Sequence, residues 1–106
     1  MKTFDDLEFS PHPNMPTGVR STLHLDSGLQ LSVVAGDTFY NDKGTYEVAI
    51  FKDGDFVPIS TSDDVIGWQS PDEITTLLEE IQKDASGFVE RKVQERAEHR
   101  KELDLD

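Results

Sequence analysis

Five pairs of neighbouring carboxylates are the densest chemistry in this sequence: Asp5-Asp6, Asp53/Asp55, Asp63-Asp64, Asp72-Glu73 and Glu79-Glu80. General acid–base catalysis needs such a group in a cleft, where burial or a neighbouring charge shifts its proton affinity. None of these pairs lies in a pattern that would bury it. Asp53 belongs to a turn, Asp72-Glu73 complement a helix N-terminus, and Glu79-Glu80 fall on a solvated helix face. They are read as structural and solvating groups, and no catalytic residue is assigned.

Oxygen ligands for calcium are plentiful, but Asp53-Gly54-Asp55 lacks the 12-residue loop and closing Glu of an EF-hand. Asp37 with Asn41-Asp42 would be a looser alternative. His12, His24 and His99 have no second His or carboxylate at a metal-site spacing, so no metal is expected. With no cysteine, disulfides, thiolate–zinc sites and thiol nucleophiles are excluded. Gly36, Gly44 and Gly54 are isolated turn glycines rather than a phosphate cradle, and no cofactor is expected.

Aromatic residues give the candidate binding surface. Phe39 and Tyr40 fall in a loop, while Phe51 and Phe56 sit on strands with their side chains away from the face that a helix would cover. Clustered on an open face, these four would make a protein-contact patch rimmed by acid. The competing reading has the N-terminal arm, with Phe4, Leu7 and Phe9, folded over them. Trp68 is expected in the core beside a helix start.

The elements that must position these residues follow from turn chemistry and periodicity. Apolar side chains alternate from Val19 to Leu25 and again from Leu29 to Val33, around Asp26-Ser27-Gly28. A three-residue loop ending in Gly pairs Leu23 with Leu31 and Ser21 with Val33, all on one face. A second hairpin, Tyr46–Phe51 and Phe56–Ile59, turns at Asp53-Gly54, a strong type I′ signal. It pairs Phe51 with Phe56, Ile50 with Val57 and Val48 with Ile59. Pro58 marks an edge or a bulge, because it cannot donate to a ladder. Val65–Trp68 reads as a last short strand, whereas the prolines at 11, 13 and 16 make residues 10–16 an irregular loop.

Ser70-Pro71-Asp72-Glu73 is a capping box with Pro at the first helical position. The helix behind it shows a single apolar stripe of Ile74, Leu77, Leu78, Ile81, Ala85 and Phe88. Gly87 either ends it near residue 86 or is carried inside a longer helix. Residues 90–102 read as a charged, solvated or frayed helix, in which a partner-helix or dimer contact is the alternative, and Leu103–Asp106 as disordered. The expected fold is therefore α+β: an antiparallel sheet of about four to five strands, built of two hairpins, with one C-terminal amphipathic helix on one face. The expected organisation is one acidic domain, residues 1–89, with a charged tail, residues 90–106.

The chain has 106 residues, enough for one domain, and a net charge of −12. Sixteen acidic and five basic side chains fall in residues 1–89, so the folded part carries the charge. Acid of this density repels nucleic-acid backbones and anionic lipid. The acidic start, Met1–Asp6, does not resemble a signal peptide, and no apolar run approaches the ~20 residues of a membrane helix. A cytoplasmic protein without direct nucleic-acid or membrane contact is expected.

Leu31–Gly36, Gly44–Phe51, Asp63–Trp68 and the Ser-Pro-Asp-Glu-Ile stretch 70–74 together resemble small uncharacterised proteins encoded by tailed bacteriophages. The resemblance implies a phage or prophage setting, and with it the host cytoplasm, and it carries over no activity. The sequence thus points to a non-enzymatic accessory protein that binds another protein, with a basic host or phage protein as the candidate partner. The alternative is an acidic nucleic-acid mimic that inhibits a host DNA-binding protein or nuclease.

Overall fold

The computed structural model describes residues 1–14, 17–36, 39, 41–59 and 64–102 as six strands, two α-helices and one turn of 3-10 helix. Val19–His24 (β2) and Leu29–Ala35 (β3) form the first hairpin, with Leu23 opposite Leu31 and Ser21 opposite Val33. Its turn closes through Leu25 N–H donating to Leu29 C=O at 2.9 Å. Tyr46–Lys52 (β4) pairs with β3, setting Ile50 against Leu31 and Val48 against Val33.

At Asp53-Gly54 both φ angles are positive, +53° and +85°. This is the type I′ geometry that the Asp-Gly pair favours. It turns the chain into Asp55–Phe56 (β5), with Phe56 opposite Phe51. Regular pairing ends there. Val57 N–H still donates to Ile50 C=O at 2.8 Å, but Pro58 has no N–H and the expected Val48–Ile59 pair does not form. Val65–Gln69 (β6) takes that part of the edge instead, placing Ile66 against Val48 and Val65 against Ala49. Because β3 occupies the other edge of β4, β5 and β6 lie one after the other along its outer edge. Ser10–Pro11 (β1) adds two residues beside β2.

Pro71–Lys83 (α1) opens with the predicted box: Glu73 N–H donates to Ser70 Oγ at 3.2 Å, and Ser70 N–H to Glu73 Oε1 at 3.1 Å. Its buried stripe is Ile74, Leu77, Leu78 and Ile81. These side chains meet Leu31, Val33, Val48 and Ile50 from the sheet in one core. Full burial stabilises each such side chain by about 1.5–3 kcal/mol.

The single-helix expectation is corrected. The chain breaks at Asp84 (φ −160°, ψ 82°), and Ala85–Glu102 form a second helix, α2. Asp84 caps it: its Oδ1 accepts the Gly87 N–H at 3.1 Å. Gly87 is therefore neither a terminator nor a tolerated interior glycine but the third residue of α2. A Cβ at this position would run into the Asp84 carboxylate. One residue later Phe88 enters the core at 1% exposure. Further along, Arg96 Nη1 ties α2 to Asp64 Oδ1 at 2.7 Å. Residues 103–106, where disorder was expected, lie outside the described residues.

The N-terminal arm runs along α1. Lys2 and Gln82 exchange two hydrogen bonds, and Phe4 N–H donates to Thr75 Oγ1 at 3.0 Å. Phe4, Phe9 and Tyr46 cluster with ring centroids 5.2–6.0 Å apart, Phe9 stacked on Tyr46, and close one end of the core. The arm thus packs on the helix-covered face. It does not lie over Phe51 and Phe56, so that competing reading is set aside.

Candidate functional site

Alternation along each strand sends every second side chain to the face opposite the helices. Strand register arranges these side chains in three rows across four strands. His24, Gln30, Phe51 and Phe56 form the first. Thr22, Ser32, Ala49 and Val65 form the second. Arg20, Val34 and Glu47 form the third, continued by a bulge in β6. Two residues of one strand span about 6.7 Å, so the outer rows stand roughly 13 Å apart across a middle row of small side chains.

Trp68 sits in that bulge. Between the pairs Tyr46–Gln69 and Val48–Ile66, the two residues Gly67 and Trp68 oppose the single residue Glu47. Trp68 has φ +53°, in the left-handed region that a bulky side chain rarely adopts. It is 56% exposed. The expectation of a core tryptophan is corrected: the extra residue at the bulge turns Trp68 outward, while Ile66 takes the inward position. Gly67 was the available signal, since an isolated glycine in a strand pattern marks a bulge.

The sequence-selected aromatics are only partly brought together. Phe51 and Phe56 form a pair with centroids 4.5 Å apart, and Phe56 is 51% exposed. Phe39 lies at the opposite end of β3 and β4, its ring 5.4 Å from that of His12. Tyr40 lies outside the described residues.

The open-face rows carry one acidic side chain, Glu47, and one permanent cation, Arg20. The acids concentrate elsewhere. α1 exposes Asp72, Glu73, Glu79 and Glu80, and the 3-10 turn Phe4–Asp6 adds Asp5 and Asp6 beside it. A shallow depression of about 350 Å³ on α1 has Asp72, Glu73 and Glu80 on its rim and Leu77 at its floor. At the Phe51–Phe56 end of the sheet, the hairpin turns expose Asp26 and Asp53, and β5 opens with the exposed Asp55.

The looser calcium candidate is used for loop structure. Asn41 Oδ1 accepts the Gly36 N–H at 3.1 Å, and Asp42 Oδ1 accepts from Thr45 Oγ1 at 2.9 Å; Asp37 lies outside the described residues. Among the described residues, no group of three or more His, Asp or Glu side chains is placed to hold a metal ion. His12 Nδ1 accepts the Asn14 N–H at 3.1 Å, while His24 is exposed in the first row and His99 lies on α2. No helix of the described residues is long and apolar enough to cross a membrane.

No family model, curated protein or solved structure matches the chain.

Proposed function

We propose that this protein is a non-enzymatic accessory protein, in a phage or prophage setting, that binds another protein through the open face of its sheet. The observation that carries this reading is the exposure of Phe56 and Trp68, both outside the core in which α1 and the first turn of α2 are buried. Large aromatics anchor protein interfaces because they bury much area at low entropic cost. The strain at Trp68 adds weight. A tryptophan held in the left-handed region is destabilising by about 1–3 kcal/mol, and such strain clusters at functional sites. The face measures about four strands by five residues, roughly 300 Å², the scale of a small, transient contact rather than of a standard interface.

The test compares proteins retained from a host lysate by immobilised wild type, by Phe56→Ser/Trp68→Ser, and by Glu79→Gln/Glu80→Gln. A protein retained by wild type and by the helix variant, but lost with the sheet variant, is the expected result. Identical retention by all three would remove the open face from consideration.

The acidic nucleic-acid mimic is the second reading. The observation favouring it is the docking of Asp5 and Asp6 beside the acids of α1, which builds one carboxylate ridge from two segments. Binding through that ridge should weaken steeply with salt, as phosphate contacts do, and should fail in the Glu79→Gln/Glu80→Gln variant. Salt-insensitive binding would eliminate it.

A further inference from the structure

We infer that the open face selects a partner segment with an apolar anchor flanked by arginine or lysine, seated at the Phe51–Phe56 end of the sheet. This rests on the reading of the open face as a protein-binding surface and adds the chemistry of its occupant. Two observations carry it. The first is the Phe51–Phe56 pair, packed at 4.5 Å with Phe56 half-exposed. The second is the charge around it. The β2–β3 turn exposes Asp26, the β4–β5 turn exposes Asp53, and Asp55 is exposed at the start of β5. Leu29 is paired with Lys52, so both turns lie at this same end, about two strand spacings or 10 Å apart. Lys52 is the one cation among them.

The aromatic pair and its rim ask for different things from one occupant. Phe51 and Phe56 favour an apolar side chain or a guanidinium stacked on a ring. The exposed carboxylates of the turns at this end favour cations placed around that anchor. A neutral or acidic segment would satisfy the rings and leave the rim repelled or unanswered. A second copy of this chain fits poorly, because it would bring the same three acids and a net charge of −12 to the contact. The whole-molecule field instead steers a basic partner toward the surface, where the nearly uncharged rows let the anchor dehydrate.

A random peptide library displayed on phage and panned against the immobilised full chain tests this directly. Selected peptides are then measured as synthetic peptides, with the emission of Trp68, the only tryptophan, as the reporter. The expected peptides carry an aromatic or aliphatic residue flanked by Arg or Lys. They lose at least tenfold in affinity against Phe56→Ser and against Asp53→Asn/Asp55→Asn, and keep their affinity for Glu79→Gln/Glu80→Gln. Neutral or acidic peptides that are lost with Phe56→Ser but not with Asp53→Asn/Asp55→Asn would overturn the inference and leave the open-face reading standing. Peptides indifferent to Phe56→Ser and without effect on Trp68 emission would overturn both.

Discussion

Alanine at position 87 should change stability by an amount that depends on Asp84. Two effects oppose each other there. Gly87 lies in the first turn of α2, and alanine is up to about 1 kcal/mol more favourable than glycine in a helix. The added Cβ, however, would occupy the space of the Asp84 carboxylate, whose Oδ1 accepts the Gly87 N–H at 3.1 Å. Expelling that side chain removes an N-cap, worth about 1 kcal/mol. Gly87→Ala alone is therefore expected within about 0.5 kcal/mol of wild type, as the difference between these terms. Asp84→Ala alone should lose about 1 kcal/mol. In the Asp84→Ala background the clash is gone, so Gly87→Ala should then stabilise by up to about 1 kcal/mol. The four proteins form a double-mutant cycle with a coupling near 1 kcal/mol.

Phe88 makes this local event visible in global unfolding. It follows Gly87 directly and is 1% exposed in the shared core, so the first turn of α2 belongs to the cooperative unit. Urea melts followed by circular dichroism give the free energies, and a 1 kcal/mol change should move the melting temperature by about 4–8 °C. Equal stabilisation by Gly87→Ala in both backgrounds would refute the reasoning, since it would mean that Asp84 does not occupy the capping position.

Leu78→Asp should abolish the cooperative transition, because it places a carboxylate at a fully buried site without a partner; an unchanged melting temperature would mean that α1 is misplaced. Phe88→Ala should lose about 3–5 kcal/mol, whereas Val93→Ser, five residues on and 49% exposed, should stay within about 0.5 kcal/mol; chemical denaturation of both variants checks that α2 docks by its first turn. At Trp68, Gly should be more stable than Ala by about 1 kcal/mol, because only glycine adopts φ +53° without strain. In an ordinary strand interior the order is reversed by about 0.5–1 kcal/mol, so an Ala variant equal to or better than Gly would remove the bulge geometry.

Elements whose local signals agree with one another could be read from the sequence. In the first hairpin the glycine-terminated loop and the period-two pattern demand the same register, and β2 and β3 adopt it. The capping box at Ser70 and Glu73 fixed the start of α1 in the same way. The end of that helix was hidden by its own periodicity. Ile74, Leu77, Leu78, Ile81, Ala85 and Phe88 stay in helical phase through the break at Asp84. The stripe therefore reads as one helix, and the Asp-to-Gly spacing that caps α2 reads as a tolerated glycine. The outer edge of β4 was illegible for a different reason. Pro58 showed that the second hairpin must stop pairing, but which segment replaced it depends on a contact between β4 and β6 that no local pattern records. The site inherits this division. Phe51 and Phe56 follow from the Asp53-Gly54 turn, whereas the position of Trp68 follows from a bulge in β6, for which Gly67 was the local signal.

Charge and edge protection together support the proposed use of the sheet's open face for docking. Sheet edges invite strand addition unless blocked. One edge here carries the two-residue β1 with Pro11 in it, and the other is divided between a two-residue strand and a bulged one. Backbone pairing with a partner is thus hindered at both edges. α1 and the 3-10 turn beside it expose acid, α2 exposes charges of both signs, and burying charged groups is favourable only when each finds a counter-charge. The open face combines exposed aromatic area with one acidic and one permanently basic side chain in its three rows, so its dehydration meets the smallest opposing term. Acid confined to the turns beside it can still select the partner and speed its approach. In a chain of net charge −12, a nearly uncharged aromatic face is the place where hydrophobic contact can outweigh the loss of hydration.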